Sequence, residues 1–352
     1  MTKMIEDKLP ELLNELTEQP LRIAIEPTNS CNANCSFCAN RYCERERSVM
    51  SMETYKKALD QIMEVGCKDL KFTPIIGDTF VDPDFLAKVR YAKSLDYFDV
   101  IYTFSNMIGA KKEMADDIVT SGLNSLYISS CLQGPEDYKR IYGVDHFETV
   151  MSNILAVLKA NKKHGFPVDI GIFLRQDKDY SLAGNKYYKT FARYTNKIEV
   201  LHDDYDNWSG LVKKSDLPQG QSFRKIGDTS YPCSQFYNGL VVTPSGEVGI
   251  CWCRDTNMDL PVGNIYENTL AEIWQSDIVK KHREDWMNGS IPDLCKNCLQ
   301  YTPVTDHSLV HKLILKNMSK YPVFVPLVLK SKALGLVRRS IGITKQLKNK
   351  IF

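Results

Sequence analysis

Three cysteines spaced C-x3-C-x2-C, namely Cys31, Cys35 and Cys38, constrain this 352-residue chain more than any other feature. Three thiols in so short a loop can converge on one metal centre, yet the loop offers no fourth protein ligand. Iron–sulfur clusters are usually held by four thiolates, and catalytic metals keep one coordination position open. The spacing therefore predicts a reactive cluster with one iron open to an exogenous molecule. A structural zinc site, which prefers paired C-x2-C units, and unrelated reduced cysteines are the alternatives.

The composition is that of an ordinary globular protein, with 43% hydrophobic and 25% charged residues. A chain of 352 residues exceeds the usual limit of a single core, so we expect one large domain and a smaller unit. No run reaches the ~18 uncharged apolar residues that a membrane span needs, and residues 1–20 hold no continuous apolar signal segment. We therefore expect a cytoplasmic protein, in which eleven cysteines indicate metal ligation before disulfides.

Strand-like and helix-like segments alternate between residues 20 and 201. We predict strands at 21–26, 68–74, 99–104, 124–130, 168–174 and 197–201, and helices at 52–65, 83–94, 111–120, 147–164 and 185–195. Six such units predict a parallel sheet with right-handed crossovers. The expected α/β fold is a partial (β/α)6 TIM-like barrel, with the active site at the carboxyl ends of its strands, followed by a small α+β domain.

A second cysteine set, Cys233, Cys251, Cys295 and Cys298, follows the predicted barrel with the spacing C-x17-C-x43-C-x2-C. A predicted hairpin at 240–251 places one cysteine before it and one at its end. Four thiolates suit either a zinc ion or a four-iron cluster, and the spacing alone does not separate the two. Cys253 competes with Cys251 for one ligand position.

The first cysteine loop, with Phe37 before its third cysteine and a strand ahead of it, resembles the cluster loop of the radical S-adenosylmethionine enzymes. The Gly246-x4-Cys251 spacing and the final C-x2-C resemble the auxiliary domain called twitch or single-cluster SPASM. The resemblance implies a 4Fe–4S cluster that binds S-adenosylmethionine and one auxiliary 4Fe–4S cluster. It divides the chain into an N-terminal helix at 1–20, a radical SAM partial barrel at 21–210, an auxiliary-cluster domain at 211–301 and a basic amphipathic tail at 302–352.

Five positions at strand ends match cofactor-binding positions of this family. Gly77 and Asp78 stand where the family usually carries a Gly-Gly-Glu turn that holds the methionine amino group. Ser105 and Asn106 end the third predicted strand, and Ser129 begins a stretch that resembles the family's Ser-x-Asp-Gly segment. The resemblance implies that these residues contact S-adenosylmethionine.

Two further side chains are candidate catalytic residues. Arg175 closes the fifth predicted strand, where its guanidinium could grip the methionine carboxylate in a bidentate pair. A solvated surface arginine is the alternative. Cys131 lies just past the fourth strand, where a thiol could donate a hydrogen atom to a substrate radical. Simple packing of a buried cysteine is the alternative there.

The resemblance implies reductive cleavage of S-adenosylmethionine to a 5′-deoxyadenosyl radical, which abstracts a substrate hydrogen atom. The electron would come from a reductant such as flavodoxin or ferredoxin. The single-cluster spacing resembles that of dehydrogenases, so we expect oxidation of a sugar, an aminocyclitol or a related small hydroxylated metabolite. Modification of a ribosomal peptide, such as thioether formation or epimerisation, is the alternative, although the first 20 residues are too short for a leader-peptide-binding domain. A metal-binding module without catalysis is a third hypothesis.

The last 51 residues are strongly basic, with eight Lys and two Arg against the single Asp306. A basic segment with apolar residues can lie on an anionic membrane surface, which would suit a lipid-linked substrate. A docked or disordered helix pair is the alternative. Nucleic acid is not expected as a partner, because the basic residues lack interleaved aromatic side chains.

Overall fold

The computed structural model describes residues 18–226 and 231–304. The predicted N-terminal helix and the basic tail therefore lie outside the described residues, except for residues 18–20 and 302–304. In these two described ranges, no helix has the length and apolar character needed to cross a membrane. The predicted membrane contact of the tail stays a prediction.

Six parallel strands form the sheet that the sequence predicts. They are β1 (Arg22–Ile25), β2 (Asp69–Phe72), β3 (Val100–Ser105), β4 (Ser125–Ser130), β5 (Asp169–Leu174) and β6 (Ile198–Val200). Each pairs in parallel with the next along the chain. The sheet runs from β6 at one edge and does not close on itself. The predicted α/β fold is confirmed.

Helices connect these strands at nearly the predicted positions. They are α1 (Met52–Glu64), α2 (Phe85–Ser94), α3 (Ala115–Thr120), α4 (Pro135–Tyr142), α5 (Phe147–Lys163) and α6 (Lys186–Phe191). The hydroxyl of Ser51 caps α1 by accepting a hydrogen bond from the amide of Thr54 at 3.0 Å. Helix α4 was not predicted, although Pro135 in its first turn and left-handed Gly143 after its end are typical helix boundaries.

The two faces of the parallel sheet differ in exposure. Leu70, Ile101 and Ile128 are buried in the core that the helices cover. Alternate side chains of the same strands point to the opposite face, because the side-chain period of a strand is two. On that opposite face Phe104 is 40% exposed. We call this side of β1–β6 the inner face.

The cysteine-rich region continues the same sheet. Strand β7 (Gly239–Val242) pairs in parallel with β1, and β8 (Glu247–Gly249) and β9 (Pro261–Asn264) follow in antiparallel order. The predicted hairpin is therefore present, with Gly246 in its turn at φ +83°. The remaining helices are α7 (Gln235–Asn238), α8 (Leu270–Trp274), α9 (Asp277–Met287) and α10 (Asp293–Lys296). Strand β9 and helix α9 were not predicted.

Buried Gln61 of α1 joins the two regions. Its Nε2 donates to the carbonyl oxygen of Ile265 at 3.0 Å, and its Oε1 accepts from the amide of Leu270 at 3.0 Å. Ile265 directly follows β9, and Leu270 is the first residue of α8. The side chain of Gln61 therefore fixes α8 against the barrel helix α1.

Candidate active site and auxiliary cysteine cavity

A buried carboxylate, Glu26, supports the first cysteine loop from the end of β1. Its two oxygens accept from Arg45 at 2.6 and 3.0 Å. Oxygen Oε1 also accepts from the amides of Ile75 and Ile76 in the turn after β2. Arg45 in turn donates from Nε to the carbonyl oxygen of Thr256 at 2.9 Å. One ion pair thus joins β1, the β2 turn and the cysteine-rich region.

The end of helix α4 holds the cysteine loop itself. The amide of Asn34 donates to the carbonyl oxygen of Tyr142 at 3.0 Å, and the amide of Ser36 donates to that of Ile141 at 2.9 Å. Gly143 permits this approach, because a Cβ there would lie 2.2 Å from the carbonyl oxygen of Asn34. The loop conformation is therefore set by main-chain hydrogen bonds from Asn34 and Ser36, which lie between its cysteines, to the end of α4.

The three thiols of this loop are close enough to influence one another. Burial, together with the nearby Asp78 carboxylate and the Cys38 thiol, raises the pKa of Cys31 to about 12. Burial, followed by the other two thiols, raises the pKa of Cys35 well above its usual range. Burial also raises the pKa of Cys38. Three buried thiolates that repel one another need a cationic centre, and the irons of a cluster supply one.

Gly77 lets the turn after β2 pass directly beside the chain that enters the loop. It has φ +110°, and a Cβ would lie 2.8 Å from the carbonyl oxygens of both Thr28 and Ser30. The next amide, that of Asp78, donates to the carbonyl oxygen of Ser30 at 2.9 Å. A side chain at position 77 would therefore push the turn away from the cysteine loop.

The carboxylate of Asp78 is buried and already bonded to the protein. It accepts from the hydroxyl of Ser105 at 3.1 Å and from the amide of Asn106 at 2.6 Å. The side chain of Asn106 then lies against the loop, with Nδ2 at 3.7 Å from the sulfur of Cys31 and at 2.9 Å from the Asn32 side-chain oxygen. In this arrangement Asp78 positions Asn106. Its predicted contact with the methionine amino group stays a prediction.

Arg175 is stacked between aromatic rings rather than free in solvent. Its guanidinium carbon lies 5.3 Å from the ring centroids of both Phe37 and Tyr205. Its Nε is buried and has no hydrogen-bond partner among the described residues. The hydroxyl of Ser129 lies nearby in the sheet, at 3.0 Å from that of Tyr142. Arg175 therefore has donor capacity left for a ligand beside the first cysteine loop.

Cys131 lies in the helix-covered core. It is 0% exposed, and burial raises the pKa of its thiol to about 12. The predicted role of Cys131 as a hydrogen-atom donor stays a prediction. The alternative, that Cys131 only packs in the core, agrees with its full burial.

The segment after β6 contributes residues that the sequence analysis missed. A cavity of about 170 Å³ is lined by Cys38, Arg175, Trp208 and Gln300, among others. The indole Nε1 of Trp208 donates to the carbonyl oxygen of Phe37 at 3.0 Å. In the predicted division of the chain, residues 202–210 form only the end of the barrel at 21–210. The aromatic and acidic residues of this segment, placed directly after the last parallel strand, were the signal that a site lay there.

Five cysteines line one cavity in the auxiliary region, namely Cys233, Cys251, Cys253, Cys295 and Cys298. Burial raises the pKa of Cys233 to about 12, and it raises those of the other four thiols as well. The structure thus brings the predicted set together and adds Cys253 to it.

The donor chemistry of this cavity fits an iron–sulfur cluster. A four-iron cluster needs thiolates that approach it from different sides, because each thiolate binds a different iron. The cavity meets this need, because Cys251 follows the hairpin, Cys295 lies in α10 and Cys233 precedes α7.

These features agree with the comparisons with known protein families. Residues 25–179 match the radical SAM superfamily, and residues 233–299 match the iron–sulfur cluster-binding domain SPASM. The chain belongs to the radical SAM superfamily and carries a C-terminal SPASM domain. It is an enzyme that uses a 4Fe–4S cluster with S-adenosylmethionine and auxiliary iron–sulfur chemistry.

Curated relatives include peptide-modifying enzymes. The PqqA peptide cyclase of Gluconobacter oxydans (strain 621H) is 23% identical over 316 residues, which cover 80% of this chain and 84% of that protein. The PqqA peptide cyclase of Rhizobium meliloti (strain 1021) is 21% identical over 309 residues, with 79% of each chain covered.

Solved structures share the fold. Streptococcus suis SuiB bound to S-adenosylmethionine has a TM-score of 0.54 at 15% identity, covering 80% of this chain and 72% of that one. BtrN in complex with AdoMet and 2-DOIA has a TM-score of 0.51 at 18% identity, covering 79% and 92%. AnSMEcpe with bound AdoMet has a TM-score of 0.51 at 14% identity, covering 88% and 100%.

Proposed function

We propose that this radical SAM enzyme modifies a peptide. The observation that carries the proposal is the similarity to PqqA peptide cyclases, which extends over about four fifths of both chains. Four fifths of the chain is more than residues 25–179, which match the radical SAM superfamily, so the similarity extends beyond that region. A shared peptide-modifying chemistry accounts for similarity throughout this span, and not only in the part that binds S-adenosylmethionine.

The expected oxidation of a small hydroxylated metabolite is less well supported. BtrN was solved in complex with AdoMet and 2-DOIA, but at 18% identity the likeness to it concerns the fold alone. The relatives with peptide in their names match in sequence as well. The peptide alternative is therefore preferred here.

The residues at the first site have distinct proposed roles. Cys31, Cys35 and Cys38 would hold the reactive cluster, which supplies the electron for cleavage of S-adenosylmethionine to methionine and a 5′-deoxyadenosyl radical. Asn106, positioned by Asp78, would contact the bound cofactor beside Cys31. Four thiols of the auxiliary cavity would hold the second cluster.

Arg175 would orient S-adenosylmethionine from the other side of the loop. Its unpaired Nε and its planar fork suit a carboxylate. The rings of Phe37 and Tyr205 on which it stacks keep water from that side of the guanidinium. The aromatic packing therefore strengthens an ion pair with the methionine carboxylate.

Deuterium transfer tests the class of substrate without knowledge of its identity. Low-molecular-weight material from the source cells, grown in deuterated medium, is incubated with the reconstituted enzyme, S-adenosylmethionine and dithionite. Mass spectrometry then measures deuterium in 5′-deoxyadenosine. We expect deuterium transfer that is lost when the material is first digested with a broad-specificity protease, because the hydrogen donor is a peptide.

The Cys31→Ala, Cys35→Ala, Cys38→Ala triple variant is the control for enzyme-dependent transfer. Transfer that survives protease digestion and follows the nonpeptide fraction would overturn the peptide proposal. It would restore oxidation of a small metabolite as the preferred function.

A further inference from the structure

Four aromatic side chains line the inner face on three neighbouring strands. We call Tyr102, Phe104, Tyr127 and Phe173 the aromatic wall. The ring centroids of Phe104 and Tyr127 lie 4.9 Å apart, and those of Tyr127 and Phe173 lie 5.9 Å apart. Gly171 leaves room for this stacking, because a Cβ there would lie 3.1 Å from the Tyr127 ring. The inner face thus offers an apolar surface that the helices do not cover.

Trp252 covers the neighbouring part of the inner face. It packs in one small cluster with Ala24 of β1 and Val241 of β7. A Cβ at Gly239 would lie 3.1 Å from its ring, so small residues on β1 and β7 make space for the indole. Trp252 and the aromatic wall therefore occupy different strands of the same face, with β2 between them.

Two cations lie on this face without acidic partners. Lys71 of β2 is beside Tyr102 in the sheet register, and its Nζ is 4.8 Å from the centroid of the Trp252 ring. Arg22 of β1 is close enough to influence both Lys71 and Tyr102 electrostatically. In the described part of the chain, neither cation forms an ion pair, not even with Asp69 at the start of β2. Three other partly or fully buried cations are each paired with a carboxylate: Arg45 with Glu26, Lys88 with Asp82, and Arg254 with Asp206. Buried Arg283 forms no ion pair with the described residues and lies over the Trp274 ring instead.

A partly buried cation without a counter-ion is unfavourable unless a ligand supplies the opposite charge. The thiol of Cys253, which lines the auxiliary cavity, is also close enough to Lys71 to act on it electrostatically. A bound anion would offset the cost of burying Lys71 and Arg22. Lys and Arg form charge-assisted hydrogen bonds with carboxylates, the anionic groups that peptides carry, and the adjacent rings would accept an apolar group attached to the carboxylate.

We propose that the inner face is a substrate subsite in which Lys71 and Arg22 bind a carboxylate and the aromatic wall receives the apolar or aromatic group next to it. This inference rests on the proposed peptide function, since the carboxylate would then belong to the peptide substrate. It deepens that function by specifying an acidic group beside an apolar one in the segment that enters the barrel.

Calorimetric binding of a simple probe tests the subsite without turnover. The reconstituted enzyme, saturated with S-adenosylmethionine, is titrated with 3-phenylpropionate and with 3-phenylpropionamide. We expect the carboxylate to bind about tenfold more tightly than the amide, because a charge-assisted contact contributes about 1.5–3 kcal/mol. Lys71→Gln and Arg22→Gln should each weaken binding of the carboxylate probe about tenfold and leave binding of the amide probe unchanged.

Lys68→Gln is the matched control, since Lys68 is exposed and its Nζ lies 3.5 Å from the centroid of the Tyr97 ring. It should bind both probes as the unaltered enzyme does. Equal affinity for the two probes, or unchanged carboxylate affinity in Lys71→Gln, would overturn the subsite. A shifted auxiliary-cluster potential in Lys71→Gln with no change in probe affinity would assign Lys71 to the cluster instead. Probe binding is independent of the peptide proposal, which fails only in the protease experiment.

Discussion

Individual residues at the first site divide into those that spacing identifies and those that only the fold brings together. Cys31, Cys35 and Cys38 were predicted because metal ligation fixes their separation along the chain. Trp208 was not, because its contact with Phe37 of the cysteine loop crosses 171 residues. The aromatic and acidic residues after β6 indicate a site, but a single sequence does not say which loop residues they contact. The hydrogen bonds of Asp78 to Ser105 and Asn106 were missed for the same reason.

The buried Glu26–Arg45 pair gives a prediction at the residue scale. Arg45→Met leaves the carboxylate of Glu26, which is 0% exposed, without its cation. An uncompensated buried charge costs about 3–5 kcal/mol, so we expect the free energy of unfolding to fall by about 3 kcal/mol. Urea unfolding of the anaerobically reconstituted protein, followed by circular dichroism, measures this change.

Arg90→Met is the matched control for that substitution. Arg90 pairs with Asp117 at 3.2 Å, and both side chains are largely exposed. Exposed pairs contribute about 0–1 kcal/mol, so the control should change stability by less than about 1 kcal/mol. Equal decreases in the free energy of unfolding of the two variants would show that the buried Glu26–Arg45 pair stabilises the fold no more than an exposed pair does.

Whole elements were predicted where apolar periodicity is strong. The six parallel strands and helices α1 and α5 follow from alternating or helical patterns of buried residues. Helix α4 was missed because its sequence, Pro-Glu-Asp-Tyr-Lys-Arg-Ile-Tyr, is short and largely polar. The stretch that contains it was interpreted as a family motif and not as a helix. Strand β9 was missed because Gly263 and Pro261 are uncommon in strands, and its pairing with β8 outweighs that local preference.

The contact between α1 and α8 gives a prediction at the element scale. Gln61→Leu leaves two backbone groups without their hydrogen-bond partners, namely the carbonyl of Ile265 and the amide of Leu270. Leaving two buried polar groups unpaired costs about 2–6 kcal/mol in total, at about 1–3 kcal/mol each. We expect that loss in urea unfolding, together with faster hydrogen exchange at the amide of Leu270.

Gln219→Leu makes the same chemical change at an exposed position. It should alter the free energy of unfolding by less than about 0.5 kcal/mol. If Gln61→Leu behaved in the same way, the two hydrogen bonds would not be what fixes α8 to the barrel.

At the scale of the whole molecule, β1 relates the two cysteine sites to each other. The first cysteine loop follows its carboxyl end, while β7 pairs along its side and leads into the auxiliary hairpin. The Asp206–Arg254 ion pair lies between the sites, since both charges act on Cys38 and on Cys298. Neither this pair nor the parallel junction of β7 with β1 was predicted, because both depend on how the auxiliary region docks.

Separate cysteine sets predict that one cluster can be removed without the other. In the Cys31→Ala, Cys35→Ala, Cys38→Ala triple variant, the reconstituted protein should keep about four of its roughly eight irons. Cleavage of S-adenosylmethionine should be abolished, because the auxiliary cluster has no open iron for it. Iron and sulfide analysis and electron paramagnetic resonance measure the first effect, and 5′-deoxyadenosine formation measures the second.

Substitution of the auxiliary cysteines completes the experiment and separates Cys251 from Cys253. The Gly246-x4-Cys251 spacing favours Cys251 as the ligand, so Cys251→Ala should lose about four irons. Cys253→Ala should retain about eight and change only the resonance signal of the auxiliary cluster, because Cys253 lines the same cavity. Cys43→Ala, outside both sets, controls for the loss of a partly buried thiol. Loss of all iron in the triple variant would contradict two independent sites, and loss of iron in Cys253→Ala alone would assign the fourth ligand to Cys253.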